Sequence, residues 1–406
     1  MAVWRTRGQP TGLAAIARAV TTGDVPAALL LAGPPGSGKT TLALDLAAGL
    51  LCPAADPAER PCRACAACRR VDHGNHPDLH RLAPGGAGRQ IRIGERLAPE
   101  PGTVRALLRD LALAPMEGAW RVAVIEAAER MNDDAQNALL KLLEEPPART
   151  VLVLCAVDEG ALLPTVRSRC MRLRLARVSP TEIAALLREE GLADAARAAR
   201  LAQLADGRPG RARALAAAPE ALVLHDRLLR ELLDLVRRGV AERLAAAAGL
   251  LGAADQLETM LGDGADAGVD AGPAGGAPAN GSNERAVPGG TVPITAAGED
   301  SIDAAEGPRR DRQSPGARRR SLLALGALWR GLARDLALAA RGGRAELRHA
   351  DLLEELVATG AALPDGAVEA FMLRLDGVLG AVEQNANPEL ALDVLLLAWP
   401  RMADAA

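Results

Sequence analysis

A mostly parallel α/β domain followed by helical material is the fold class the sequence predicts, and three observations carry it. Short apolar runs alternate with helical stretches from Ala28 to Ala176. A glycine-rich loop, Gly33–Thr40, stands between one such run and a helix. From Pro180 onward the apolar residues recur at helical spacing, with one long interruption.

Taken in order, the expected strands are Ala28–Ala32, Val122–Ile125, Val151–Cys155 and Met171–Leu175. The run Thr41–Leu51 is the helix behind the glycine-rich loop. A second helix spans Asn132–Glu145: Asn132 can cap it, Asp133 and Asp134 suit its positive end, and Pro146 and Pro147 stop it. Its Ala135, Ala138, Leu139, Leu142 and Leu143 should face the sheet. Pro180–Ala216 is short-helix material with turn signals at Gly191 and Gly207–Gly210. These limits divide the chain into 1–178, a small helical unit 179–217, and a helical part 218–406. Within the last, Glu220–Leu251 is strongly helical, but about 262–320 is Gly, Ala, Asp, Pro and Ser with few large apolar residues. Such composition cannot offset its ordering entropy, so disorder is expected there, interrupting one helical domain or linking two.

At 406 residues and 49% apolar, the chain can bury a sizeable core. Met1–Gly12 has no apolar stretch behind a basic start, and no run approaches the ~20 apolar residues of a membrane span, so a cytoplasmic, membrane-free protein is expected. A net charge of −3 argues against DNA binding by the chain alone. With no tyrosine and Phe371 as the single phenylalanine, stacking of single strands on aromatics lacks its material. Of 48 basic residues only Lys39 and Lys141 are lysine.

Gly33-Pro34-Pro35-Gly36-Ser37-Gly38-Lys39-Thr40, with Thr41 behind it, has the order a phosphate loop requires. Its glycines let backbone N–H groups converge on phosphate oxygens at a helix N-terminus, Lys39 reaches the outer phosphates, and Thr40 ligates Mg2+. ATP or ADP is the expected ligand. A compact ammonium kept in so arginine-rich a chain fits that role. Glu126, ending the Val122 strand, can hold Mg2+ directly or through water. Ala127 stands where an ATPase of this class carries the glutamate that polarises water, and Glu129, three residues from Glu126, is poorly placed to replace it.

Cys52, Cys62, Cys65 and Cys68 give C-x9-C-x2-C-x2-C, a spacing suited to tetrahedral Zn2+ and, in a cytoplasmic protein, favouring metal over disulfides. Four thiolates complete a closed site, so His73, His76 and His80 are expected to be structural or exposed. Cys155 and Cys170 lie in or beside apolar strands and are expected in the core.

The phosphate loop, the cysteine module of 52–68, the stretch Asn132–Pro147 and Ser168-Arg169-Cys170 follow one another in an order that resembles the bacterial clamp-loader ATPases. These AAA+ proteins include the gamma/tau and delta-prime subunits of DNA polymerase III. Gly74–Asp78 matches the family's segment after the zinc module, and Lys141 lies within its NALLK stretch. The resemblance covers Ala28 to about Leu215, with a weaker echo at Asn385–Pro388 before Leu390–Leu397. It implies an AAA+ domain, a helical lid and a C-terminal collar, and a place in a hetero-oligomer for DNA replication. The implied partners are gamma/tau-like motor subunits, a delta-like subunit, the sliding clamp and primed DNA. It also implies that Arg169 is an arginine finger acting on a neighbouring subunit's nucleotide. On the residues alone the lesser alternative is an exposed arginine ending a strand edge.

Within the family, Ala156 and Val157 occupy the positions where the motor subunits carry a phosphate-sensing threonine. The lid arginine expected three residues after Gly207 is replaced by Gly210, with Arg211 displaced by one. These departures beside an intact Ser-Arg-Cys resemble the non-hydrolysing delta-prime type; the alternative is an active gamma/tau-like motor.

Overall fold

Strands that turn successive side chains to opposite faces need cover on both, and the chain supplies separate helices for each. A computed structural model of the chain describes residues 1–85, 90–267, 315–343, 347–384 and 386–402. Its strands are β1 (Ala28–Ala32), β2 (Leu79–Leu82), β3 (Arg121–Ile125), β4 (Thr150–Ala156) and β5 (Met171–Arg174). They pair in parallel in the order β2-β3-β4-β1-β5, with Leu30 beside Leu154 and Arg172.

Helices α1 (Pro10–Thr22), α2 (Lys39–Leu51), α3 (Ala66–Asp72), α4 (Val104–Leu111), α5 (Asp133–Glu144) and α6 (Pro164–Arg167) are interleaved with these strands. Leu29, Leu31, Val122, Val124, Val151 and Val153 share a core with Ile16 and Val20 of α1 and Leu42 and Leu46 of α2. The alternate residues Leu30, Ala123, Ile125, Leu152 and Leu154 pack on Val104 and Leu107 of α4 and on Ala135 and Leu139 of α5. Asn132 caps α5, accepting from the Ala135 N–H at 3.0 Å.

Strand β2 was not expected. It is a short edge strand whose His80 and Arg81 break the apolar run that betrays its neighbours. Its start is fixed by Asp78, a fully buried carboxylate that accepts backbone N–H groups from Met116, Glu117 and Gly118 at 2.6, 2.9 and 2.8 Å, with Arg121 at 3.8 Å.

The remaining helices are α7 (Pro180–Glu189), α8 (Ala195–Leu204), α9 (Pro209–Ala217), α10 (Pro219–Asp234), α11 (Val240–Ala267), α12 (Pro315–Ala340), α13 (Leu353–Ala362), α14 (Ala367–Glu383) and α15 (Pro388–Ala398). A reciprocal capping box, Ser179 with Glu182, starts α7. One continuous apolar core runs through α7 to α15. At its centre Trp329, Phe371 and Trp399 meet with ring centroids 4.6–5.5 Å apart. Arg243 is fully buried and donates to the carbonyls of Arg238, Val236, Leu396, Trp399 and Pro400. Such a guanidinium satisfies carbonyls that helix ends leave open.

The stretch 262–320, expected to be disordered, is helical at both edges: α11 continues to Ala267 and α12 begins at Pro315. At the second edge Ala317 and Arg318–Arg320 keep helix propensity high, whereas 262–267 continues α11 despite two glycines and two aspartates. Residues 268–314 lie outside the described residues. Leu250 and Leu257 of α11 share a core with Leu322 and Leu325 of α12. Among the described residues no single helix is long and apolar enough to cross a membrane.

Burial acts to raise the pKa of Asp78, but the N–H groups of Met116, Gly118 and Glu117 outweigh it and hold the carboxyl below its ordinary value. The stabilisation is therefore complete above the unfolded pKa of ~4 and vanishes as pH falls through the lower folded value. We expect Asp78→Asn to lose about 1–3 kcal/mol at pH 7 by urea unfolding, with the gap to wild type closing below pH ~4. A gap unchanged at pH 3 would place the stabilisation elsewhere.

Candidate nucleotide and metal sites

The loop between β1 and α2 is shaped by contacts that exclude side chains. A Cβ on Gly33 would come within 2.4 Å of the Leu175 carbonyl oxygen, and Gly33 donates its N–H to Ala156 at 3.1 Å. Gly36 has φ +72° and lies so close to Arg208 that a Cβ would meet its Cγ at 2.7 Å. The Lys39 ammonium donates to the carbonyls of Gly33 and Pro34 at 2.8 and 2.9 Å. Burial lowers its pKa, partly offset by Cys155 and Glu129. The Ser37 hydroxyl is buried and has no hydrogen-bond partner among the described residues. Pro35, Gly36, Ser37, Gly38, Lys39, Thr40 and Thr41 line a cavity of about 530 Å3. These donors and this volume fit a nucleotide's phosphates at a helix N-terminus. A bound nucleotide would place its outer phosphates at Lys39 and its Mg2+ at Thr40.

The acidic side of the site is arranged differently from expectation. Glu126 ends β3, yet its carboxylate accepts Arg81 Nε and a terminal guanidinium nitrogen at 3.0 and 2.7 Å, and it is not among the cavity-lining residues. Ala127 is left-handed, with φ 50°, and offers no carboxylate. Glu129 accepts the N–H of Val157 at 3.2 Å. Ala156 is buried and the Val157 side chain is half-exposed, so neither presents a hydroxyl. Burial pushes the Cys155 thiol, beside Lys39 and Thr40, up to about 12, and the Cys170 thiol up to about 11, as expected for core residues.

Three arginines at the start of α9 complete the cavity. Arg208, Arg211 and Arg213 line it, together with Arg5 and Arg7. Burial, reinforced by Arg211, lowers the Arg208 pKa to about 10. Arg211 is thus at the phosphate loop despite its one-residue displacement. The sequence did not single out Arg208, because one arginine among so many carries no local mark; only the contact with Gly36 distinguishes it.

Helix α2 joins this loop to the cysteine module. Midway along it, Asp45 is fully buried and accepts the N–H groups of Arg5 and Thr6 and the Thr6 hydroxyl at 2.7–3.1 Å. Arg63, from the cysteine loop, pairs with both Asp45 and Asp72. At the end of α2, Cys52 is the first thiol. The Sγ atoms of Cys52, Cys62, Cys65 and Cys68 all lie within 4.8 Å of one another, and Cys52 and Cys62 are 3.6 Å apart. Tetrahedral thiolates at ~2.3 Å from Zn2+ would be about 3.8 Å apart, whereas a disulfide needs ~2 Å. The cluster therefore fits zinc held by four thiolates, an ion that would crosslink the loop to α2. The Ala64 N–H leads the interactions that lower Cys62 to about 6, while burial raises Cys68. His76 is buried and accepts the Asp78 N–H, and neither it nor His73 nor His80 joins the cluster.

Arg169 follows α6, away from the cavity lining. Its guanidinium donates to the Thr165 carbonyl at 3.0 Å and to Glu144 at 2.7 Å, and its side chain remains 36% exposed. That exposure leaves it accessible to another chain.

With this geometry in view, residues 8–179 match the family described as DNA polymerase III, delta subunit. A delta-prime subunit of DNA polymerase III from Pseudomonas aeruginosa is 43% identical over 147 residues, covering 36% of this chain and 42% of that protein. Residues 8–179 are thus similar to the family of DNA polymerase III delta-type subunits. A delta-prime subunit from Bacillus subtilis is 34% identical over 156 residues, 38% of this chain and 44% of its own length. A tau subunit from Salmonella typhimurium is 33% identical over 205 residues, 49% of this chain and 30% of its own length. The chain spans less than half the length of these curated relatives.

We expect protein purified without added zinc to carry about one zinc per chain by metal analysis, and Cys65→Ser to lose the metal and melt earlier. Metal-free protein under reducing conditions would reject the site. Asp45→Ala should lose about 3–5 kcal/mol in urea unfolding, because it leaves Arg63 with Asp72 alone. The double change Asp45→Leu with Arg63→Met should recover part of that loss.

Proposed function

We propose that the chain is a delta-prime-like, cytoplasmic subunit of the DNA polymerase III clamp loader. It binds ATP or ADP with little hydrolysis and lends Arg169 to a neighbouring motor subunit during loading of the sliding clamp onto primed DNA. In this reading residues 1–178 are the AAA+ nucleotide domain with its zinc module, 179–217 the lid, and 218–406 the collar. Its partners are gamma/tau-like motor subunits and a delta-like subunit.

The observation that carries the reading is an intact phosphate loop beside Ala127 and Val157. Lys39, Thr40 and the loop N–H groups supply charge and donors for phosphates. Hydrolysis further needs a carboxylate to orient the attacking water, and Glu126 is engaged by Arg81 while Ala127 has none. Arg169, exposed and held by Glu144, has the reach of a donor in trans. A planar guanidinium neutralises charge on a transferring phosphoryl group better than an ammonium.

An active motor remains the second reading. Glu129 favours it, because its carboxylate bears on Lys39 and holds the Val157 N–H. ATP turnover by the isolated chain at ~1 per second or faster, stimulated by DNA, would establish the motor and remove the first reading.

For the first, a fluorescent ATP analogue should bind wild type saturably and Lys39→Ala more weakly, with negligible turnover in both. Arg169→Ala should fold, bind its own nucleotide and enter the complex, yet lower clamp- and DNA-stimulated ATPase of the reconstituted loader, with Arg169→Lys rescuing little. A finger in trans contributes on the order of 10³-fold or more at its own site, so a partial loss of total activity is expected if other sites continue to fire. Unchanged ATPase and clamp loading in a fully assembled Arg169→Ala complex would leave Arg169 an ordinary surface charge.

A further inference from the structure

The cavity at the phosphate loop is strongly unbalanced in charge. Six cations line it, Arg5, Arg7, Lys39, Arg208, Arg211 and Arg213, and among the described residues Glu258 is the single carboxylate that does. Five of the six have hydrogen-bond acceptors. Arg5 donates to Asp72, Arg7 to Trp4, Lys39 to the loop carbonyls, Arg208 to Ala205 and Arg213 to Glu190. Arg211 has none among the described residues. Its side chain is 12% exposed, its Nε is buried without a partner, and among the described residues its one carboxylate within 4 Å is Glu258 at 3.6 Å.

A guanidinium Nε buried without an acceptor is costly, and a separation of 3.6 Å is outside hydrogen-bond range. The pair is therefore electrostatic only, and Glu258 Oε1 is itself buried and unbonded. A phosphate oxygen offers Arg211 the charge-assisted, bidentate bond that Glu258 does not.

Glu258 belongs to α11, between Leu257 and Leu261, both buried in the core shared by α9, α11, α12 and α15. Arg211 is in the first turn of α9. The contact thus joins the phosphate loop's cavity to the helical half of the molecule.

We propose that Glu258 is a displaceable counter-ion: nucleotide phosphate takes Arg211 from it, so that occupancy of the phosphate loop is transmitted to α11. This rests on the nucleotide reading given above and extends it to a residue of the C-terminal helices. By linkage, whatever Glu258 contributes to the chain without nucleotide is subtracted from nucleotide affinity.

The test uses the full-length chain with Mg2+ and ATP. Glu258→Gln should bind ATP about fivefold more tightly than wild type, the lower end of ordinary coupling between sites. Its melting temperature without ATP should fall, while at saturating ATP it should equal wild type. Arg211→Ala should weaken binding, and Glu258→Gln added to Arg211→Ala should change nothing further, a coupling that a merely structural carboxylate would not show. Hydrogen exchange across 250–261 should respond to ATP in wild type and much less in Glu258→Gln; Glu258→Ala serves if the amide perturbs folding. Equal or weaker ATP binding by Glu258→Gln, or a tightening that persists without Arg211, would overturn the proposal while leaving nucleotide binding intact. Failure of the wild-type chain to bind ATP or ADP would overturn both.

Discussion

One buried carboxylate holds the α/β half of this molecule together. Asp45 sits midway along α2, a helix about 20 Å long whose first residue is the phosphate-loop lysine and whose C-cap is the first cysteine of the metal cluster. Its two oxygens gather Arg5 and Thr6 from the N-terminal segment and Arg63 from the cysteine loop. Arg5 and Arg7 reach the cavity because that segment is tied down. The four-cysteine cluster gathers at the far end of the same helix. Glycine-rich loop and cysteine module are thus two ends of one rigid element.

The sheet explains why the ligand site lies where it does. In an open parallel sheet, ligands bind beyond the carboxyl ends of the strands. Here β1 delivers the glycine loop, while Glu126 and Val157, which follow β3 and β4 at the same edge, stay outside the cavity lining. The N-terminus of α9 then approaches from the helical half, setting Arg208 against Gly36. Charge in the cavity is supplied from several separate segments, which is why no single stretch of sequence contains the site.

How much was legible follows the same division. The phosphate loop and the four cysteines are local patterns whose chemistry fixes their spacing, and both emerge assembled. Strands β1, β3 and β4 are buried on both faces and so read as apolar runs; β2 carries His80 and Arg81 at an edge and hides among polar residues. Asn132, capping α5 as its position suggests, is again local. Asp45, Asp78, Arg208 and Arg243 were invisible because buried charges look like surface charges until their partners, often far away in sequence, are known. The composition that suggests disorder near 320 misleads because Ala317 and Arg318–Arg320 suit the first turns of a helix packed further along; the glycines and aspartates of 262–267 carry no such sign.

Arg243 also imposes an order on synthesis. Its guanidinium is enclosed by carbonyls of Leu396, Trp399 and Pro400, 153 to 157 residues later in the chain. Until those residues have left the ribosome, α11 carries a charge it cannot bury, and Trp399 is missing from the aromatic centre. The α/β half needs nothing beyond β5 and the start of α7 for its own two cores. A nascent chain can therefore complete its phosphate loop and cysteine cluster while its helical half is still waiting for its last turn, as domain-by-domain folding during translation requires.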